Sequence, residues 1–170
     1  MKMRTLLLIF LLLSGIVFSG EDISYFRKSF KDINNMVTAE KFLATEIEDN
    51  NIQNSVTIRA YKAVCKMMMA QYISNPFSKL SYFNEGKELL EKAIKINKNV
   101  ENIHLRILVQ INAPSFLSYS SEIASDKAFL LKNIDSAKIP NETKKDILKA
   151  LITSGKLNEF NKLAKKYKAI

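Results

Sequence analysis

The sequence predicts an all-α protein built of stacked antiparallel helix pairs. Three observations carry the prediction. Gly and Pro are scarce, with four and three copies in 170 residues, whereas all-β chains with many tight turns use more of both. Apolar residues recur at three- and four-residue steps along nearly the whole chain. The breaks between these runs are short, and short joints set neighbouring helices antiparallel. The length suits one domain with a sizeable core. A content of 47% apolar and 25% charged residues is that of an ordinary globular protein.

The first segment, "MKMRTLLLIFLLLSGIVFSG", reads as a processing signal rather than as part of the fold. Lys2 and Arg4 precede an apolar run from Leu6 to Phe18, and the small residues Ser19 and Gly20 follow. This is the order of a secretory signal peptide. The run is too short for a comfortable membrane span, which needs about 20 apolar residues. Residues 1–19 are therefore expected to be a cleaved signal and 20–170 a single helical domain, exported to the periplasm or the exterior. No Cys near the end of the run suggests lipid attachment. Removal of the leader leaves 24 Lys and Arg against 17 Asp and Glu, a net charge of +7. That balance favours anionic partners in general and specifies none.

Each helix has its own warrant. "EDISYFRKSFKDI" places Ile23, Phe26, Phe30 and Ile33 on one face. "VTAEKFLATEIEDNN" carries Phe42, Leu43 and Ile47, with Thr38 as the expected N-cap and Lys41 where a capping-box Glu would sit. The third helix runs from about Gln53 to Ile73. Its apolar residues cover most of its circumference, so neighbours should pack on both sides. Only Arg59, Lys62 and Lys66 interrupt it, as a narrow polar line.

Pro76 closes that stretch by biasing Asn75 away from the helical region. The fourth helix buries Phe83, Gly86, Leu90, Ala93 and Ile94, and spacing pairs Glu88 with Lys92 and Glu91 with Lys95. A Gly costs about 1 kcal/mol inside a helix relative to Ala, so Gly86 points to close approach of a neighbouring backbone. Asn99 is suited to cap the fifth helix, "VENIHLRILVQIN". This helix is also apolar on most faces, with Asn102, Arg106 and Gln110 on a second polar line. A sixth helix starts near Ser120 or Ser121 and uses Ile123, Phe129 or Leu130, and Ile134. The seventh has Asn141 as N-cap and Gly155 as C-cap residue. The eighth, "KLNEFNKLAKKYKAI", turns Leu157, Phe160, Leu163, Ala164 and Tyr167 to one side.

Two resemblances follow from these residues. Gly86, Leu90 and Ala93 match the small–large–small positions in the second helix of a tetratricopeptide repeat. Ala60, Ala93, Ala128 and Ala164 recur at 33, 35 and 36 residues, against that family's period of 34. The resemblance implies a right-handed array of helix pairs; the residues themselves also allow a compact helical bundle. The stretch from Asn75 to Leu131 resembles small exported helical proteins of flavobacterial type. Asn75-Pro76, Lys79-Leu80, Gly86, Arg106, Gln110, Asn112, Pro114 and Asp126-Lys127 carry that likeness. It implies an envelope protein and supplies no activity.

Catalytic and metal-binding patterns are sparse. His104 is the single His, which excludes a His-rich metal site, and Cys65 is the single Cys, which excludes an intrachain disulfide. Cys65 and His104 make a formal nucleophile pair, but both sit among apolar residues that favour an inert buried thiol. There is no Gly-rich phosphate loop and no zinc or serine-hydrolase motif. No catalytic residue, cofactor or metal is assigned. The Lys-rich C-terminal pair (Lys144, Lys145, Lys149, Lys156, Lys162, Lys165, Lys166, Lys168) lacks interleaved aromatics, so it reads as a solvated face rather than a nucleic-acid surface.

The expected function is that of a non-enzymatic interaction module in the cell envelope. First helices of stacked pairs stand side by side and line a concave face. Arg59, Lys62, Lys66, Asn102, Arg106 and Gln110 would then form one basic groove for an acidic peptide or protein segment. Two alternatives stand beside it. One is a small envelope enzyme at the irregular loop 112–127, with Tyr119, Asp126 and Lys127 as candidates. The other is a purely structural bundle.

Overall fold

The computed structural model describes residues 21–154 and 158–169. Residues 1–20, with the expected signal segment, and Gly155, Lys156, Leu157 and Ile170 lie outside them. Eight α-helices and three short 3-10 turns make up the described chain, with no strand beyond one isolated bridge between Glu21 and Ile47. The helices are α1 (Ile23–Lys31), α2 (Met36–Ala44), α3 (Ile52–Met69), α4 (Pro76–Ile96), α5 (Val100–Asn112), α6 (Ile123–Asn133), α7 (Asn141–Thr153) and α8 (Asn161–Lys166). The protein is an all-α compact helical bundle.

Asn residues start four of these helices. Asp22 and Asn51, Asn75 and Asn99 accept backbone N–H groups in the first turns of α1, α3, α4 and α5. Asn35 caps α2 in place of the expected Thr38. Thr38 sits at the third helical position and returns the bond, its Oγ1 accepting from the Asn35 N–H at 3.2 Å. The short Thr side chain thus plays the Glu role of a capping box. Pro76 opens α4 at its first position, where its missing N–H costs nothing. Asn141 is the first residue of α7 rather than its cap, because Pro140 holds the extended cap conformation. α6 begins at Ile123, after a turn at 121–122.

The pairs expected from the short joints are present: α3 packs on α4, α5 on α6, and α7 on α8. The first members also touch in series, α3 with α5 and α5 with α7. Within the first pair the direction is antiparallel, since Gln53 meets Asn97 while Met67 meets Gly86. α3 additionally packs against α1 and α2, where Phe26, Phe30, Phe42 and Tyr61 form an aromatic cluster with centroids 5.0–5.8 Å apart. Neighbours on most sides explain why α3 is apolar nearly all round. α5 is more enclosed still, with ten of its 13 residues buried.

The tightest point of the bundle is Gly86. A Cβ there would lie 2.6 Å from the Ala63 carbonyl oxygen and 2.5 Å from Met67 Cγ. The side chain could swing aside, but the backbone oxygen cannot. Gly86→Ala gains about 1 kcal/mol of helix propensity and loses about 1–3 kcal/mol to overpacking. The expected result is net destabilisation of up to about 2 kcal/mol, read as a lowered urea midpoint at unchanged slope. A stabilised variant would show that α3 and α4 are not locked at this point.

Candidate functional site

The polar line of α5 is turned inward. Arg106 is 7% exposed and Asp126 is 1% exposed. Arg106 donates to both Asp126 oxygens, Nε at 2.8 Å and Nη2 at 2.6 Å, and through Nη1 to Glu91 at 2.8 Å. Tyr119 donates to the other Glu91 oxygen at 2.5 Å. Burial opposes the Arg106 charge, but the hydrogen bonds and charge of Asp126, then Glu91, outweigh it and raise its pKa further. Burial and the adjacent Glu91 carboxylate raise the Tyr119 pKa well above its ordinary value, so its hydroxyl stays a donor. The four groups satisfy one another and hold α4, α5, α6 and the loop before α6 together.

This cluster unites residues the sequence had assigned to different candidates. Arg106 came from the basic groove; Tyr119 and Asp126 came from the loop site. Glu91, paired by spacing with Lys95, turns instead to Arg106. Lys127 does not join them and pairs with Glu159. Asn102 is fully buried and donates to the Asn97 carbonyl, and Gln110 is 3% exposed with no hydrogen-bond partner for its side-chain amide among the described residues.

The α3 line goes elsewhere. Arg59 is exposed. Lys62 donates to the carbonyls of Leu43 (3.0 Å) and Thr45, closing the C-terminal end of α2. Its pKa is lowered, first by burial and then by Arg59. Lys66 pairs with Glu85 on α4 at 2.5 Å. The six expected groove residues therefore do not line one open face. Those of α5 are enclosed, with Arg106 neutralised by carboxylates from other helices, and those of α3 divide between α2, α4 and solvent.

Cys65 and His104 make no pair either. The Cys65 thiol donates to the Ala39 carbonyl at 3.6 Å, and burial pushes its pKa up to about 12 despite nearby Lys62. That is an inert thiol. On the C-terminal pair Lys144 departs from the expected solvated face: it is 6% exposed and donates to the Asp135 carbonyl at 2.7 Å.

One open concave feature is apolar. A groove of about 850 Å³ runs between α3, α4 and the end of α5. Val64, Met67 and Met68 form its floor, with Leu80 and Phe83 on one side and Leu108 and Pro114 on the other. Phe77, 86% exposed, and Phe116, 79% exposed, stand in its lining from α4 and from the loop after α5. Lys79 is the one charged residue among those that line it. Neither Phe was singled out from the sequence. Both follow a proline at the start of a turn or helix, in "NPF" and "APSF", positions that no helical periodicity requires to be buried. That mismatch was the available signal.

No helix among the described residues is long and apolar enough to cross a membrane, and no group of His, Cys, Asp and Glu among them could hold a metal ion. No family model matches the chain, and neither does any curated protein or solved structure.

Proposed function

We propose that the chain is an exported, non-enzymatic interaction module of the cell envelope. It holds an amphipathic helical segment of a partner protein in the groove between α3, α4 and α5. The observation that carries this reading is the exposure of Phe77 and Phe116 in the lining of one apolar groove. Large aromatic side chains left in water at a concave surface mark a binding site rather than a random surface residue. The volume lies within the range of about 300–1,000 Å³ that recognition pockets occupy. Met67 and Met68 add an adaptable floor. A peptide entering such a groove must satisfy its own backbone groups, which favours an amphipathic helix. Lys79 in the lining, no carboxylate beside it, and the basic net charge favour an acidic flank on that helix. Export rests on the leader.

The loop enzyme draws less support. Tyr119 and Asp126 are engaged with Glu91 and Arg106, and Lys127 with Glu159, so each of the three candidates already has a partner.

A labelled amphipathic helical peptide with an acidic flank provides the test, by fluorescence anisotropy. It should bind the mature chain and bind Phe77→Ser/Phe116→Ser at least about tenfold more weakly. Both positions are exposed, so the variant keeps its fold. Arg59→Gln should bind as the parent does. Equal binding by the double-Phe variant would sink the groove assignment, and displacement of the peptide by a fatty acid that co-purifies with the chain would replace the protein partner by a lipid.

A further inference from the structure

A second concavity, of about 380 Å³, lies between α1, the starts of α3 and α5, and the end of α6 with the loop after it. It shares no lining residue with the apolar groove. Its floor is an ion pair. Arg27 donates through Nε (2.8 Å) and Nη2 (2.6 Å) to Glu101, which also accepts from Tyr61 at 3.0 Å. Glu101 is 3% exposed. The bidentate contact fixes the guanidinium plane. The Nη1 group makes no hydrogen bond among the described residues, so a held cation keeps an unused donor edge beside the cleft.

Charge at this cleft is one-sided. Arg27, Lys98 and Lys138 line it against the single carboxylate of Glu101, which Arg27 already neutralises. Lys98 lies 5.1 Å over the Phe129 ring, and neither Lys has a carboxylate partner among the described residues. The remaining lining is rich in amides and hydroxyls. The Gln53 side-chain amide and the carbonyl oxygens of Asn97 and Asn133 make no hydrogen bond among the described residues, although the Asn97 and Asn133 amino groups donate to nearby backbone carbonyls. An amide offers a donor and an acceptor side by side, which suits adjacent hydroxyls. Phe129 supplies an apolar face.

We infer that this cleft is a second binding site, for a small anionic, hydroxyl-rich molecule of the sugar-acid type. The unpaired cations take the carboxylate, the amides take the ring hydroxyls, and Phe129 takes the apolar edge of the ring. The size is at the lower end of the range for small-molecule sites. The site is independent of the apolar groove and of the partner proposed for it.

Titration of the mature chain with galacturonate, galactose and inorganic phosphate, followed by NMR shifts of backbone amides, tests this. Galacturonate should shift amides around Asn97, Asn133 and Lys138, more strongly at low salt. Galactose and phosphate should each bind at least about tenfold more weakly, since each lacks one half of the recognition. Lys98→Gln/Lys138→Gln, both exposed and so harmless to folding, should lose at least about tenfold in galacturonate affinity. No shift at millimolar galacturonate, equal binding of galactose, equal binding of phosphate, or an unaffected double variant would each overturn the inference.

Discussion

Asp126→Ala is expected to destabilise the protein by about 3–5 kcal/mol, the usual cost of removing one partner from a buried ion pair. The reason is local. Arg106 cannot reach water at 7% exposure, and it would keep one carboxylate, Glu91, whose side chain is 38% exposed. The loss is the desolvation of a guanidinium left with two of its donors unmet more than the value of the bond itself. Replacing both partners with apolar residues removes that penalty. Arg106→Leu/Asp126→Leu should therefore be more stable than Asp126→Ala alone, and a double-mutant cycle should return a coupling of at least about 2 kcal/mol. Tyr119→Phe leaves one Glu91 oxygen with access to water and should cost only about 1 kcal/mol. A loss below about 1 kcal/mol for Asp126→Ala would mean that the cluster does not hold α4, α5 and α6 together. The consequence reaches function, because the segment pinned by Tyr119 also presents Phe116 to the groove.

Stability should also fall between pH 6.5 and 4 through His104. Both ring nitrogens are buried without a hydrogen-bond partner among the described residues, and burial lowers the pKa to about 4, against a smaller opposing effect of Asp146. The sign follows from which state takes the proton. Below its ordinary pKa of 6.5 the unfolded chain binds a proton that the folded chain refuses until about pH 4. The contribution is fully present above pH 6.5, is lost progressively as pH falls, and levels off near pH 4. Its size is about 3 kcal/mol from the shift. His104→Leu should erase this part of the acid loss, so the gap between variant and parent widens as pH drops from 7 to 4. At pH 7 the variant should already be more stable by roughly 1 kcal/mol, because two unsatisfied buried groups are gone. Urea titrations of both proteins across that range give the difference directly. Parallel curves would mean that His104 finds a partner or water in solution.

Local features were legible in the sequence, and long-range ones were not. Helix number and order follow from apolar spacing and from Asn and Pro at the joints, and Gly86 declared a close backbone approach through its cost. The polar line of α5 was visible as a line, but spacing along one helix says which residues share a face and not what that face meets. Its carboxylate partners, Glu91 and Asp126, come from α4 and α6 and carry no mark of that role; Glu91 looked like half of a local pair with Lys95. Asp126 and Lys127 are adjacent in sequence, yet one turns to the core and the other to Glu159. The apolar groove was missed for a related reason. Periodicity finds apolar residues that belong to a buried stripe, and Phe77 and Phe116 belong to none.

Site-specific photocrosslinking decides where a partner sits. A photoreactive phenylalanine analogue placed at Phe77, Phe116 or Arg59, in cells that express the chain, reports whatever protein lies within a few ångströms of each position. The apolar groove predicts the same covalent adduct from positions 77 and 116 and none from position 59. An adduct from position 59 with none from 77 or 116 would place the partner on the basic line of α3 and contradict the groove.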